Sequence, residues 1–369
     1  PDTLDDLRHR RTPCVKPAGF QRAGDGRDMI VEAFLRDQRC RQAGREREGY
    51  GSGQGHKQRL QAQPGAAGER CNRHQRSQSG LSTTRRAVRL PVPAPNVAVV
   101  PAPGTQALLP LVMRQIPAGR ARVLGPTYAE HARCARLAGH AVEEVTDVDA
   151  LYDADLAVIV NPNNPDGRVV ARETLLALAG HMRVKGGLLV VDEAFMDVGP
   201  AAQSLVDACG AGGAVVLRSF GKFFGLAGVR LGFALGAPGL AAGLAAMLGP
   251  WAVSGPALEI GLRALEDRAW QTRMRARLRA ESARLDAVLA TAGIEPRGGT
   301  PLFAFVCDPA APDLFAWLGA AGLYTRRFAD RPDCLRIGLP GDDAWPRLEA
   351  ALAAWSARNQ QADPAKEAK

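Results

Sequence analysis

Residues 219–233 read SFGKFFGLAGVRLGF. The apolar run before them, Ala214–Ser219, predicts a strand, and Val229–Leu235 predicts another, so a short loop rich in Gly and Phe carries Lys222 between two strands. A lysine in an apolar loop loses hydration, which disfavours its charged form and makes the amine a candidate nucleophile. Ser219 lies three residues before it, and Arg230 is expected on the next strand. A hydroxyl and a guanidinium converging near an amine suit a phosphorylated carbonyl compound. Alone, the segment reads equally well as a structural loop.

Four further segments carry polar residues at expected strand ends. In LLVVDEAF (188–195), Asp192 closes a buried apolar run, where an acid is costly without a partner. It can cap the next helix or pair with a cationic ligand group. In VIVNPNNPDG (158–167), Asn and Pro form a turn after a strand and can aim one amide into a cleft. In VPAPGTQALL (100–109), Gly104 and Thr105 open a helix and offer backbone N–H groups and a hydroxyl to a phosphate. In GPTYAEH (125–131), Tyr128 follows a strand and can stack on a flat ring.

From Asn96 onward, short apolar runs alternate with helical patterns. Strands are expected at Val97–Ala102, Arg122–Gly125, Ala154–Val160 and Gly187–Asp192, besides the two flanking Lys222. Helices are expected at Thr105 to about Gln115, Tyr128 to about Ala138 and Glu173–Met182. This alternation predicts an α/β fold with a seven-stranded, mostly parallel sheet. Pro256 to about Thr291 reads as one long helix. It leads into a small C-terminal α+β domain with strands Phe303–Cys307 and Cys334–Leu339 and helices Pro312–Ala320 and Trp345 to about Trp355. The expected division is an atypical basic segment (1–92), a cofactor-binding large domain (93–250), a linking helix with the small domain (251–358) and a polar tail (359–369).

The chain has 369 residues and a formal charge of +9, all of it from residues 1–90, where 17 Arg and 2 Lys face 10 acids; residues 91–369 balance to zero. Only 14 of those 90 residues are large and apolar, too few to bury a core. A basic arm for a polyanion and a segment without structure are the two readings. The lack of aromatic interleaving, heptads and finger spacing favours the second, so no nucleic-acid partner and fast amide exchange over 1–90 are expected. No apolar run reaches the roughly 18 residues needed to span a membrane. Seven widely spaced cysteines contain no CxxC pair, so no metal site is expected. With no basic-plus-apolar leader in view, free thiols and a cytoplasmic location are expected.

Together, the segments from about Asn96 to Ala357 resemble fold-type-I enzymes dependent on pyridoxal 5'-phosphate (PLP), of the aminotransferase class I/II superfamily. Within it the chain is similar to the histidinol-phosphate aminotransferase branch, and GPTYAEHAR, DEAF and RSFGKFFGLAGVRLGFAL look most like the threonine-phosphate decarboxylases of cobalamin biosynthesis. The resemblance implies PLP as cofactor, a phosphorylated amino acid as substrate, and a homodimer. It implies that Lys222 bonds the cofactor covalently, Asp192 pairs with the pyridine nitrogen, Asn164 bonds the ring's phenolic oxygen and Tyr128 stacks on the ring. Gly104, Thr105, Ser219 and Arg230 correspond to the phosphate cup. Arg336 corresponds to the arginine for the substrate carboxylate, and Arg326 to a second one for a phosphate or carboxylate.

The implied reaction is decarboxylation of L-threonine O-3-phosphate; the alternatives are transamination of histidinol phosphate or a similar amino acid, and an inactive remnant. Phe195 stands where the aminotransferases usually have a tyrosine, Gly221 where a serine is common, and Asp166 where NNPTG has threonine. The family's N-terminal arm, substrate loop and cofactor-side aromatic are not recognised in residues 1–90, which suits a frameshift or a displaced start.

Overall fold

The computed structural model describes residues 96–362. The expectations for residues 1–92, for Cys14, Cys40 and Cys71, and for the tail beyond Ala362 lie outside the described residues.

Seven strands form the central sheet: β1 (Ala98–Ala102), β2 (Arg120–Leu124), β3 (Ala141–Val145), β4 (Leu156–Val160), β5 (Leu188–Asp192), β6 (Ala214–Ser219) and β7 (Gly232–Gly236). Their order is β1-β7-β6-β5-β4-β2-β3. Only β7 runs against its neighbours; the other adjacent pairs are parallel. β4 (LAVIV) and β5 (LLVVD) are buried along their whole length, as central strands covered on both faces must be. Successive side chains point to opposite faces. Ile159, Val191 and Val216 therefore enter one core, while Val158, Val190 and Val215 enter the other.

Helices cover both faces: α1 (Thr105–Val112), α2 (Glu130–Leu137), α3 (Arg172–Lys185) and α4 (Pro238–Leu248). α3 stops at Gly186, whose φ of 75° is the left-handed conformation that glycine adopts without penalty. β3 was not expected from the sequence, and α4 was expected only as a helical signal after Gly236, without bounds. β3 (AVEEV) is a half-exposed edge strand with no apolar run, and α4 (PGLAAGLAAML) is an apolar stretch dense in Gly and Ala without a clear polar face.

The expected single long helix is two, α5 (Gly255–Glu266) and α6 (Arg268–Thr291). Asp267 breaks the run with ψ near 70°, and its side chain accepts a hydrogen bond from Trp270 N at 2.9 Å, capping α6. Beyond it lies an antiparallel sheet of β8 (Pro296–Thr300), β9 (Phe303–Cys307), β10 (Arg326–Arg327) and β11 (Cys334–Gly338), in the order β10-β11-β9-β8. α7 (Ala311–Ala320) and α8 (Trp345–Ala362) pack with α6 on a core containing Trp345 and Trp355. β8 (PRGGT) was unexpected because Pro and Gly are strand-poor; the chain tolerates them at this edge, with a register shift between Pro296 and Gly298.

The expectation of free thiols fails at one pair. β9 and β11 place Cys307 opposite Cys334 with Cα atoms 4.2 Å apart, and the two form a disulfide. The 27-residue separation hid this pairing, which the antiparallel register brings about. Cys134 and Cys209 are free and buried.

Candidate active site

Parallel strands deliver their C-terminal ends to one edge of a sheet, and ligands of open α/β sheets bind there. Here β1, β2, β4 and β5 end on that edge, and a single loop leaves β6 there and enters the antiparallel β7, so five loops converge. They border an open cleft of about 830 Å³ whose lining includes all ten residues singled out from the sequence: Gly104, Thr105, Tyr128, Asn164, Asp192, Ser219, Lys222, Arg230, Arg326 and Arg336.

Asp192 ends β5 and is nearly buried, and both its oxygens are engaged. Oδ1 accepts from Ala194 N at 3.0 Å, the local turn bond that a capping acid makes. Oδ2 lies 3.0 Å from Nε2 of His131, which is fully buried on α2. An ionised carboxylate only accepts, so His131 donates from Nε2. Its Nδ1 has no hydrogen-bond partner among the described residues. Sequence reasoning quoted GPTYAEH but missed His131 as the partner of Asp192. The signal lay in its place one helical turn past Tyr128, on the face that turns inward.

Lys222 lies in the turn after β6 with Nζ 5.6 Å from the centre of the Phe195 ring. Burial pushes its pKa below the ordinary lysine value, the positive charge of Arg336 pushes it further, and Asp192 opposes both. The amine is therefore unprotonated at a lower pH than an exposed lysine. Phe195 is buried and meets Phe303 edge-to-face, with centroids 5.3 Å apart.

Arg230 departs from expectation. It is not on the strand but two residues before β7, at φ 55° and ψ 58°, where it C-caps a 3-10 turn. This backbone turns its guanidinium toward the start of α1: Nη2 donates to Pro103 O at 3.4 Å and Nη1 to Ala227 O at 3.2 Å. A Cβ on Gly104, whose φ is 88°, would stand 2.6 Å from Arg230 Nη2. The glycine is thus favoured by its backbone conformation, and a larger residue would also displace the tip of the Arg230 side chain. Ser219 Oγ accepts from Gly221 N at 3.2 Å, which leaves its hydroxyl hydrogen available.

The Asn-Pro loop after β4 is braced by its own side chains. Asn163 donates to Asp166 Oδ1 at 2.8 Å and to Pro126 O at 3.0 Å, and its carbonyl accepts from Thr127 Oγ1 at 2.7 Å. Asp166, which replaces the family's threonine, also accepts from Arg168 N at 3.0 Å and closes the turn. The next residue, Asn164, reaches the other sheet: its Oδ1 accepts from Arg336 Nη1 at 2.5 Å. That fixes the amide with its NH2 group as the remaining donor.

Arg326 and Arg336 come together because β10 and β11 pair them directly across the ladder. Like charges directly opposite one another repel, an arrangement suited to an anionic ligand. Burial and then Arg326 push the Arg336 pKa below its ordinary value. Tyr128 is 42% exposed and donates to Gln106 Oε1 at 3.3 Å. Burial, then the charges of Glu130 and Asp192, raise its phenol pKa and hold the hydroxyl protonated.

This sheet order, with polar loops gathered around a lysine at one edge, is the architecture of the aminotransferase fold. The chain belongs to the aminotransferase class I and II family, whose model matches residues 23–345, reaching well upstream of the motifs that begin at Asn96. Among its relatives, threonine-phosphate decarboxylase of Pseudomonas aeruginosa is 48% identical over 259 residues, covering 69% of this chain and 77% of the relative. The threonine-phosphate decarboxylase of a Sinorhizobium species is 46% identical over 261 residues (70% and 78%). Histidinol-phosphate aminotransferase of Aeromonas hydrophila is 31% identical over 285 residues (70% and 77%). Among solved structures, histidinol-phosphate aminotransferase of Clostridium acetobutylicum superposes with a TM-score of 0.66 at 20% identity, covering 72% of this chain and 85% of that one, which shows the fold.

Proposed function

We propose that the chain decarboxylates L-threonine O-3-phosphate to (R)-1-amino-2-propanol phosphate with PLP as cofactor. The observation that carries this is one cleft holding a desolvated lysine, a buried acid backed by histidine and two paired arginines. Identity of 46–48% to two threonine-phosphate decarboxylases, against 31% to the histidinol-phosphate aminotransferase, favours decarboxylation over amino transfer.

The residues suit the cofactor. Gly104 leaves room beside Arg230 that a side chain would fill, and Thr105 opens a helix whose first N–H groups are free to bind an anion. With Ser219 and Arg230 they would hold its phosphate. Asp192 would hold its ring nitrogen, Asn164 its phenolic oxygen, Tyr128 its ring face, and Lys222 its aldehyde carbon. The cofactor supplies a conjugated ring that takes up the electron pair of the bond broken at Cα.

Arg336 and Arg326 bind and orient the substrate's carboxylate and phosphate. The bond between Cα and the carboxylate breaks, carbon dioxide leaves, and Lys222 Nζ gives Cα a proton in its place. Solvent then restores the proton to the lysine. The buried ring of Phe195 keeps water from that side of the lysine.

Cα–carboxylate cleavage requires that bond to stand normal to the ring, and a misplacement of about 1 Å costs roughly 100-fold. Threonine phosphate supplied to the PLP-loaded chain should release carbon dioxide. A keto acid without carbon dioxide, or brisk turnover of histidinol phosphate with 2-oxoglutarate, would assign the chain to amino transfer. No turnover of either would make it a remnant.

Gly104→Ala should weaken PLP binding by about 10–100-fold, since strained backbone costs roughly 1–3 kcal/mol. A fluorescence titration of the cofactor checks this.

We read residues 93–250 as the cofactor-binding domain, 251–358 as the linking and small domain, and the working form as a cytoplasmic homodimer. No helix among the described residues is long and apolar enough to cross a membrane.

A further inference from the structure

Arg336 meets three groups: the Asn164 amide at its edge, Arg326 across the ladder, and an aromatic face. Its Cζ lies 4.9 Å from the centre of the Phe303 ring. The register explains the choice of ring. Phe305 is directly opposite Arg336 on β9, but Phe305 already carries Arg331, whose Cζ is 5.3 Å from its centre. Phe303 is the diagonal neighbour, within reach of a long side chain. Phe303 is itself buried and pinned edge-to-face by Phe195, the ring beside Lys222. A chain of contacts thus runs Lys222, Phe195, Phe303, Arg336, Asn164, crossing between the two sheets twice. Phe303 does not line the cleft, so it touches no substrate and can act only through its neighbours.

We infer that Phe303 is a positioning residue for the anionic end of the substrate, its ring holding the plane of the Arg336 guanidinium against the cleft. A planar guanidinium held at one edge by an amide still rotates about that bond. A ring on its face removes the rotation and leaves the outer N–H groups aimed at the ligand. The inference rests on the proposed function for the identity of that ligand.

The test uses the full chain loaded with PLP. Phe303→Met keeps bulk and removes the ring face, while Phe303→Tyr keeps the ring. Phe303→Met should raise KM for threonine phosphate about tenfold with kcat within about twofold, in keeping with loss of a desolvated cation–π contact. Phe303→Tyr should stay within about twofold of the parent in both. In an Arg336→Met background, Phe303→Met should add little, because the two act as a unit. A second readout needs no turnover: the pH at which the Lys222 nitrogen bound to the cofactor loses its proton, followed by absorbance without substrate. Arg336 lowers that pH, so releasing the guanidinium should move it to the alkaline side in Phe303→Met and leave it in place in Phe303→Tyr. Should Phe303→Met not fold, Phe303→Leu takes its place with the same expected split.

Unchanged KM in a folded variant, equal effects of Met and Tyr, or full additivity with Arg336→Met would overturn the inference. If the parent releases no carbon dioxide, the proposed function fails, and Phe303 is then judged on the absorbance titration alone.

Discussion

Lys222→Ala is expected to lower carbon dioxide release from threonine phosphate by at least about 10⁴-fold. The same nitrogen would both bond the cofactor and return a proton to Cα, and removal of a positioned acid or base alone costs roughly 10²–10⁴-fold. Nothing nearby replaces it. Among the cleft-lining groups, the other cations are arginines, which stay charged and hold their protons too tightly to exchange them at neutral pH. The proposed phosphate cup of Gly104, Thr105, Ser219 and Arg230 is untouched, so PLP should still bind. Borohydride should then fail to fix it to the protein. A cofactor fixed to any other lysine, or turnover within about tenfold of the parent, would remove Lys222 from the role given to it.

Asp192→Asn should cost about 3–5 kcal/mol of transition-state stabilisation, read as a fall in kcat/KM of roughly 10²–10⁴-fold. The amide keeps the size and one acceptor of the carboxylate but loses its charge. Two buried contacts depend on that charge: the hydrogen bond from His131 Nε2 and, in the proposed complex, the pairing with a protonated ring nitrogen. His131→Asn should do less harm, because it loosens Asp192 without removing the charge. If Asp192→Asn turns over at near the parent rate, the acid serves only its bonds to Ala194 N and His131 Nε2 and not the ring.

Local chemistry made much of this legible in the sequence. Runs such as LAVIV and LLVVD are continuous and apolar because central parallel strands are covered on both faces, and Ala214–Ser219 and Phe303–Cys307 were expected at the bounds observed. Asp192 and Ser219, which close two of the strands of the large sheet, line the cleft, since a parallel sheet carries its strand ends to one edge. The elements that escaped are those without a local signature. β3 is an edge strand, β8 is built from Pro and Gly, and Asp267 divides a helix that periodicity runs straight through. Arg230 was expected on a strand because apolar residues flank it, whereas its left-handed backbone holds it in the preceding loop.

The sequence by itself therefore determined the fold class, the loop that carries Lys222, and the strand-end positions of Gly104, Thr105, Tyr128, Asp192 and Ser219, while Asn164, Arg326 and Arg336 were pointed to by the family resemblance. The former follow from spacing within a few residues: turn formers after apolar runs, and a lysine in a loop too apolar to hydrate it. Tertiary structure alone decided how those side chains pair. Asn164 and Arg336 are 172 residues apart and share a hydrogen bond, His131 backs Asp192 from a different element, and Arg326 faces Arg336 only through the register of β10 on β11. The disulfide between Cys307 and Cys334 and the seat of Arg336 on Phe303 depend on the β9–β11 register in the same way. Pairing across a sheet is fixed by which faces must be buried together, a property of the packed molecule that no short window of sequence contains.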